Sequence, residues 1–294
     1  MSLTGKSVTW PKQPVKEPLI VRLQKRDYLV LSYIGENRAA PADVLCDLFW
    51  KGRKDNSHYK RLRKLLRAGL IQSVHENLQQ PLWYCLTAMG GDILKAKGLA
   101  AIPGQVKRPR YGSSLEHDRN LHLIRQVYES LSTTRDYLTQ FQVEKILGER
   151  HGYQKEREEK YKVPDAIFTL KLPGKTVRVA VEHEKEPKNY ERTKRMFELL
   201  VASPDYETIF FVVSSPKLMA RLMRILAELR KTSSRIKADG KRHAFYFVLL
   251  DELLQKKTKA VMEGEGAKIV LETLGEPSPV DPNVAPNVGP RGAN

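Results

Sequence analysis

Two short apolar segments joined by a tight turn constrain the fold of this chain more than any other feature. The segments span 163–170 and 177–185, and Pro173 and Gly174 stand between them. Both segments are rich in apolar residues typical of strands, and the Pro-Gly pair is typical of a turn. The pattern therefore predicts two β-strands that form one hairpin.

Acidic side chains mark the ends of these two strands. Asp165 opens the first strand, and Glu182 and Glu184 end the second. Because side chains alternate along a strand, Glu182 and Glu184 share one face of the sheet and His183 lies on the other. Carboxylates gathered in this way hold a divalent ion in metal-dependent nucleases.

Positive charge is concentrated in the first third of the chain. The net charge is +17 over 294 residues, and residues 1–113 carry 20 Lys and Arg against 8 Asp and Glu, which leaves +5 for the rest. A surface that neutralises phosphates has this character. No apolar run reaches the roughly 18 residues that cross a bilayer, so we expect a soluble, cytoplasmic protein that binds no membrane.

The basic first third predicts a compact module. Its periodicity predicts helices over 23–37, from Pro41 onward, over 57–68 and over 87–97, with two strands at 70–74 and 81–86. Helix, helix, basic helix, hairpin and helix is the order of a winged helix-turn-helix.

The third helix of this module is the candidate DNA-binding element. Tyr59, Leu62, Leu65 and Leu66 gather on one side, and Lys60, Lys64 and Arg67 lie opposite, within about 60° of one another. A charged helix face can also be ordinary solvent-exposed surface. Here a basic turn directly precedes the helix, and this favours contact with DNA. The candidate DNA-binding residues are Arg53, Lys54, Asn56, Ser57, Lys60, Arg61, Arg63, Lys64 and Arg67.

The second part of the chain predicts a larger α+β domain. Between residues 115 and 250 the predicted elements run αβββαβαβ, with the first strand over 137–143 and the fourth over 208–213, which indicates a mixed sheet. This is the order seen in PD-(D/E)xK nuclease domains. The predicted organisation is a basic arm over 1–22, a winged helix over 23–98, a linker over 99–114, the nuclease-like domain over 115–255 and a mostly disordered extension over 256–294.

The candidate catalytic residues of that domain are Asp165, Glu182, Glu184 and Lys185, and the candidate metal ligands are the three acids. Nucleases of this type carry a lysine two positions after the acid, or in some restriction endonucleases a second glutamate, and this chain has Glu184 there. Lys185 is three positions after Glu182, so its side chain lies on the opposite face of the strand unless the strand bulges. The site is either a three-carboxylate variant or a degenerate relic. We predict the relic, with no cofactor, and Mg²⁺ only if the site is active.

Two short motifs resemble a known family. Ser114-Leu115-Glu116-His117-Asp118 opens a predicted helix, and Pro164-Asp165-Ala166 precedes the acidic strand end. With the predicted winged helix, they resemble the replication-relaxation family of plasmid proteins over roughly 23–250. That family includes accessory mobilisation proteins that work with a relaxase.

The resemblance implies a protein that binds double-stranded DNA of a plasmid or mobile element near an origin. It also implies assistance to relaxosome assembly, mobilisation or replication, with a relaxase or another origin-bound protein as partner. Two other functions stay open: a Mg²⁺-dependent DNA endonuclease targeted by the winged helix, and a transcriptional regulator. The sequence indicates neither the target DNA nor the oligomeric state.

Overall fold

The structure is a computed structural model that describes residues 21–51, 56–74, 82–99, 113–151, 162–239 and 242–274. The chain divides into two compact units, one formed by residues 1–35 and 41–108 and the other by residues 36–40 and 109–294. Nearly all of the predicted arm and linker, and the tip of the predicted wing, lie outside the described residues. None of the described helices is both long enough and apolar enough to span a bilayer.

The first unit combines four helices with short strands. The helices are α1 (Lys25–Glu36), α2 (Ala42–Phe49), α3 (Ser57–Arg67) and α4 (Ala88–Ala96). Three short strands form a sheet in the order β1-β3-β2: β1 (Ala39–Pro41), which spans the boundary between the two units, β2 (Ile71–Val74) and β3 (Trp83–Leu86). Strands β2 and β3 are antiparallel.

Local signals fix the ends of α3 and α4. Gly69 has a φ of +71°, a left-handed conformation that glycine adopts without steric cost, and α3 ends just before it. The Thr87 hydroxyl accepts a hydrogen bond from the Gly90 amide and caps α4. A Cβ atom at Gly90 would lie 2.2 Å from the Leu70 carbonyl oxygen, so glycine lets α4 approach the start of the hairpin.

The second unit is built around a seven-stranded sheet. Its helices are α5 (Ser113–Glu129), α6 (Gln140–His151), α7 (Tyr190–Val201), α8 (Pro216–Thr232), α9 (Ser234–Ala238) and α10 (Leu250–Lys256). Its strands are β4 (Thr134–Thr139), β5 (Ala166–Leu172), β6 (Lys175–Glu184), β7 (Thr208–Val213), β8 (Ala244–Leu249), β9 (Val261–Gly264) and β10 (Lys268–Val270). Short 3₁₀ turns span Lys257–Lys259 and Leu271–Thr273.

The strand order is β10-β9-β8-β7-β6-β5-β4. Strands β6, β7 and β8 run parallel, and the strands beyond them on both sides are antiparallel. The predicted α+β class with a mixed sheet is therefore confirmed.

Apolar side chains cover both faces of the sheet. On one face, α7, α8 and α9 contribute Phe197, Leu222 and Ile236 to a core with Ala180 of β6. On the other face, α5 and α10 pack against Val179 and Val181 of the same strand. Because both faces are covered, the acidic end of β6 is buried as well, which sets the chemistry of the site described below.

Two elements of the second unit correct the prediction. The strand expected over 137–143 ends at Thr139, and α6 begins there. The Thr139 hydroxyl accepts a hydrogen bond from the Gln142 amide, and the Gln142 side chain accepts one from the Thr139 amide. This reciprocal capping starts a helix. The extension over 256–294 was expected to be mostly disordered, yet β9 and β10 add two strands to the sheet.

Candidate functional site

The outer face of α3 is strongly basic. Lys60, Arg63, Lys64 and Arg67 are exposed, whereas Leu62 and Leu65 are buried. Tyr59, predicted on the buried side, is 48% exposed. At 100° per residue it lies about 120° from Leu65, at the margin of the apolar stripe. The exposed face of α3 therefore presents four cations and one aromatic ring within an arc of about 140°.

Arg61 has a different role from the other cations of α3. Its guanidinium binds the carboxylate of Asp27 on α1, with Nε 2.8 Å from Oδ1, and donates to the Arg22 carbonyl. Asp27 is almost fully buried. Arg61 therefore anchors α3 to α1, whereas no ion pair joins Lys60, Arg63, Lys64 or Arg67 to another described residue.

The remaining DNA-binding candidates lie at or before the start of α3. Arg53 and Lys54 lie outside the described residues. Asn56 is exposed and occupies the position before α3, but its side chain makes no capping hydrogen bond. Ser57 is half-buried in the first turn.

In the second unit, the hairpin register brings the first two acids opposite each other. Strands β5 and β6 pair with Ala166 opposite Val181, and the Asp165 amide donates to the Val181 carbonyl. One further step of the same register places Asp165 opposite Glu182. The sequence alone left this register open.

Asp165 is held as an anion by α5 and by the backbone. Its Oδ2 accepts a hydrogen bond of 2.8 Å from the His183 amide and lies 3.5 Å from Nε2 of His117. Burial opposes ionisation, but His117, Lys162 and the backbone amide outweigh it and lower the Asp165 pKa to about 2. Burial also opposes the charged His117, yet Asp118 and Asp165 raise the His117 pKa to about 10.

His183 forms the neutral partner in a stack of two imidazole rings. Its ring lies 5.1 Å from that of His117, at 25° between planes. Its Nδ1 donates to the Val212 carbonyl, and its Nε2 accepts from the Asn120 amide group on α5. Burial lowers the His183 pKa, so this ring is neutral where His117 is charged. These contacts attach α5 to the end of β6.

Glu182 is the most deeply buried acid of the group, with 1% of its surface exposed. Its Oε2 contacts the Lys162 ammonium group, and its Oε1 has no hydrogen-bond partner among the described residues. Burial raises the Glu182 pKa to about 8, and Lys162 offsets this only in part. Burial also disfavours the charged form of Lys162, but Glu182 and Asp165 outweigh it and raise the Lys162 pKa.

The other two candidates are directed to separate partners. Glu184 is buried and contacts Lys188 four residues later. Lys185 contacts the exposed carboxylate of Glu116 on α5 rather than any of the three acids. Among the described residues, no three His, Cys, Asp or Glu side chains form an arrangement that could hold a metal ion.

Four members of this network, His117, Asn120, Lys162 and His183, were not among the predicted site residues. Lys162 precedes Asp165 by only three residues, and that proximity was the available signal. His117 and Asn120 come from a helix far away in the sequence. Each of the three acids thus has a cationic partner from the protein: His117 for Asp165, Lys162 for Glu182 and Lys188 for Glu184.

Comparison with known proteins gives weak structural similarity only. No family model and no curated protein matches the chain. A structure of the restriction endonuclease FokI is 12% identical over 79% of this chain and 43% of that one, with a TM-score of 0.24. A structure of FokI bound to DNA is 13% identical over 81% of this chain and 46% of that one, with a TM-score of 0.25. The chain thus spans less than half the length of either FokI structure.

Proposed function

We propose that the chain is a double-stranded DNA-binding protein, and that its first unit is a winged helix-turn-helix with α3 as the recognition helix. The observation that carries this proposal is the exposed basic face of α3. Lys60, Arg63, Lys64 and Arg67 point away from the core, and Arg61 instead fixes α3 to α1. Exposed cations on a rigidly attached helix suit contacts to DNA phosphates.

The proposal predicts the effect of reversing two charges on α3. The Lys60→Glu, Lys64→Glu double variant should bind duplex DNA at least tenfold more weakly at moderate salt. Each phosphate contact adds about 0.9 to the dependence of log K on log salt, so that slope should become shallower by about two. Fluorescence anisotropy with a labelled duplex, titrated at several salt concentrations, measures both quantities.

A matched control separates local contacts from overall charge. Lys171 and Lys175 are exposed on the β5–β6 hairpin, and reversing both changes the net charge by the same amount. This control should bind almost as wild type does. If the α3 variant binds no more weakly than this control, α3 is not the recognition helix.

We further propose that the DNA bound is that of a plasmid or mobile element near its origin, and that the protein assists mobilisation or replication there. This part rests on the resemblance of residues 114–118 and 164–166 to the replication-relaxation family. A relaxase or another origin-bound protein would be the partner. Footprinting on supercoiled plasmid DNA, with and without the relaxase encoded by the same element, tests for a discrete protected site.

A Mg²⁺-dependent endonuclease is the second candidate. The observation in its favour is that Lys162 reaches Glu182, which also has a buried oxygen without a partner among the described residues. In this candidate Lys162, which precedes β5, would take the role of the nuclease lysine, because Glu184 occupies the usual position of that lysine on the strand. Against this candidate, His117, Lys162 and Lys188 already supply the positive charge that a metal ion would provide.

The Asp165→Asn variant distinguishes the two candidates. We expect the wild type to leave supercoiled plasmid uncut with Mg²⁺ or Mn²⁺, and we expect the variant to bind DNA as tightly as the wild type, because α3 lies in the other unit. Agarose electrophoresis follows nicking, and circular dichroism verifies that the variant is folded. Metal-dependent nicking by the wild type that Asp165→Asn abolishes would replace the first candidate with the second.

A further inference from the structure

The positive charge of the second unit is concentrated in one layer of helices. Helices α7, α8 and α9 contain ten Lys and Arg against three Asp and Glu, a net charge of +7. Residues 114–294 together have a net charge of +5, so the remainder of that segment is net negative. This layer therefore carries a basic surface separate from that of α3.

We propose that the outer face of α7 and α9 is a second surface that binds the phosphate backbone of DNA. This inference rests on the proposed DNA-binding function and assigns a further contact to it. The centre of the surface is an open cavity of about 670 Å³. Its lining consists of four cations, two acids and one apolar residue: Arg192, Lys194, Arg195, Arg235, Glu191, Glu198 and Leu199.

The packing of α7 and α9 explains why these cations face outward. Helix α7 buries Met196, Phe197 and Leu200 against the sheet, which leaves Arg192 and Arg195 exposed. On α9, Ile236 is fully buried and holds the short helix in the core, so the adjacent Arg235 is exposed. The cavity thus receives cations from two helices that are both fixed to the same core.

The two acids leave the cavity lining with a net charge of +2, and among the described residues neither forms an ion pair with its cations. The Glu198 carboxylate accepts a hydrogen bond of 2.6 Å from the Ser233 hydroxyl, which also caps α9. Among the described residues, no ion pair engages the four cations of the cavity. By contrast, Arg230 of the same layer pairs with Asp239 and Glu265 and has a structural role.

The chemistry of the cavity fits a phosphodiester. Three of its four cations are arginines, whose planar guanidinium groups bind two phosphate oxygens at once. The cavity is open to solvent and its lining is mostly charged, whereas sites for small organic molecules are predominantly apolar. A DNA backbone that crosses this open surface would place successive phosphates near Arg195 and Arg235, which suits both the arginines and the open, charged lining.

The test reverses the two arginines from different helices in the full-length chain. The Arg195→Glu, Arg235→Glu variant should bind duplex DNA at least fivefold more weakly, with a salt-dependence slope shallower by about two. The Arg195→Gln, Arg235→Gln variant should show the same change in slope without introducing repulsion. The control is again Lys171→Glu, Lys175→Glu, and circular dichroism verifies folding.

Parallel measurement of the α3 variant keeps the two proposals distinguishable. If the α3 variant binds weakly and both cavity variants bind as the control does, the second surface is rejected and the first stands. If only the cavity variants weaken binding, the second surface stands and the recognition-helix assignment fails. Salt slopes that match the control in both cavity variants overturn this inference in every case.

Discussion

The free energy of unfolding of the second unit is expected to fall as the pH rises from about 5 to about 10. Two raised pKa values cause this decrease. The His117 pKa rises from 6.5 to about 10, so its stabilising charge is fully present below pH 6.5 and is lost as the pH passes 10. The Glu182 pKa rises from 4.5 to about 8, so above pH 4.5 the unfolded chain releases a proton that the folded state retains.

Each pKa unit corresponds to about 1.4 kcal/mol, so each group contributes on the order of 3 to 5 kcal/mol over its range. Asp165 acts at the other end of the scale. Its pKa is lowered from 3.8 to about 2, so its stabilisation is present above pH 3.8 and is lost as the pH falls towards 2. Maximal stability is therefore expected near pH 4 to 5.

Urea unfolding followed by far-UV circular dichroism at pH 5 to 10 measures this dependence. The two described tryptophans, Trp50 and Trp83, are buried in the first unit, so their fluorescence gives a separate record of that unit. His117→Gln should be less stable than wild type at pH 6 and nearly equal to it at pH 10. A wild-type stability that is constant between pH 5 and 10 would contradict the protonation states assigned to His117 and Glu182.

The second large effect is expected from Lys162→Met. The substitution leaves Glu182 buried without its cationic partner. Loss of Lys162 raises the Glu182 pKa further, so at pH 9 the folded variant must hold a proton that the wild type has released, and the cost should be about 2 to 3 kcal/mol of unfolding free energy. At pH 6 Glu182 holds a proton, so the cost should fall to about 1 kcal/mol, the size of an ordinary hydrogen bond.

Two controls identify the cause of that loss. Glu182→Gln in the Lys162→Met background removes the buried acid that must stay protonated and should restore most of the stability lost at pH 9. The same substitution at Lys185, whose pair with Glu116 is largely exposed, should cost less than about 1 kcal/mol at either pH. Equal losses for Lys162→Met at pH 6 and pH 9 would show that Lys162 contributes through packing, not through the charge of Glu182.

Local sequence signals predicted much of the fold. The sequence predicted a helix over 57–68, just before Gly69, and the observed α3 spans Ser57–Arg67. The strand at 208–213 was placed at its observed bounds. Helix α6 was missed although Thr139 and Gln142 stand at the spacing of a capping box, because the apolar residues over 137–143 were interpreted as a continuing strand.

One part of the candidate site could be predicted from local sequence, and the other part depends on contacts between distant segments. The alternation of β6 fixed the shared face of Glu182 and Glu184, because strand parity is a local property of the backbone. The partners of the acids are not local. His117 and Asn120 reach the site only because α5 packs on the face of the sheet that carries Val179 and Val181 of β6.

The sequence by itself determined an α+β chain with a mixed sheet, an acidic strand end and a basic helix, since hydrophobic period and charge are properties of neighbouring residues. Only the tertiary structure decided which charges are available. Arg61 is committed to Asp27, Lys185 to Glu116, and Lys162 takes the place beside Glu182. Burial and pairing of charges depend on contacts between segments that are distant in the sequence, so the periodicity of apolar residues cannot predict them.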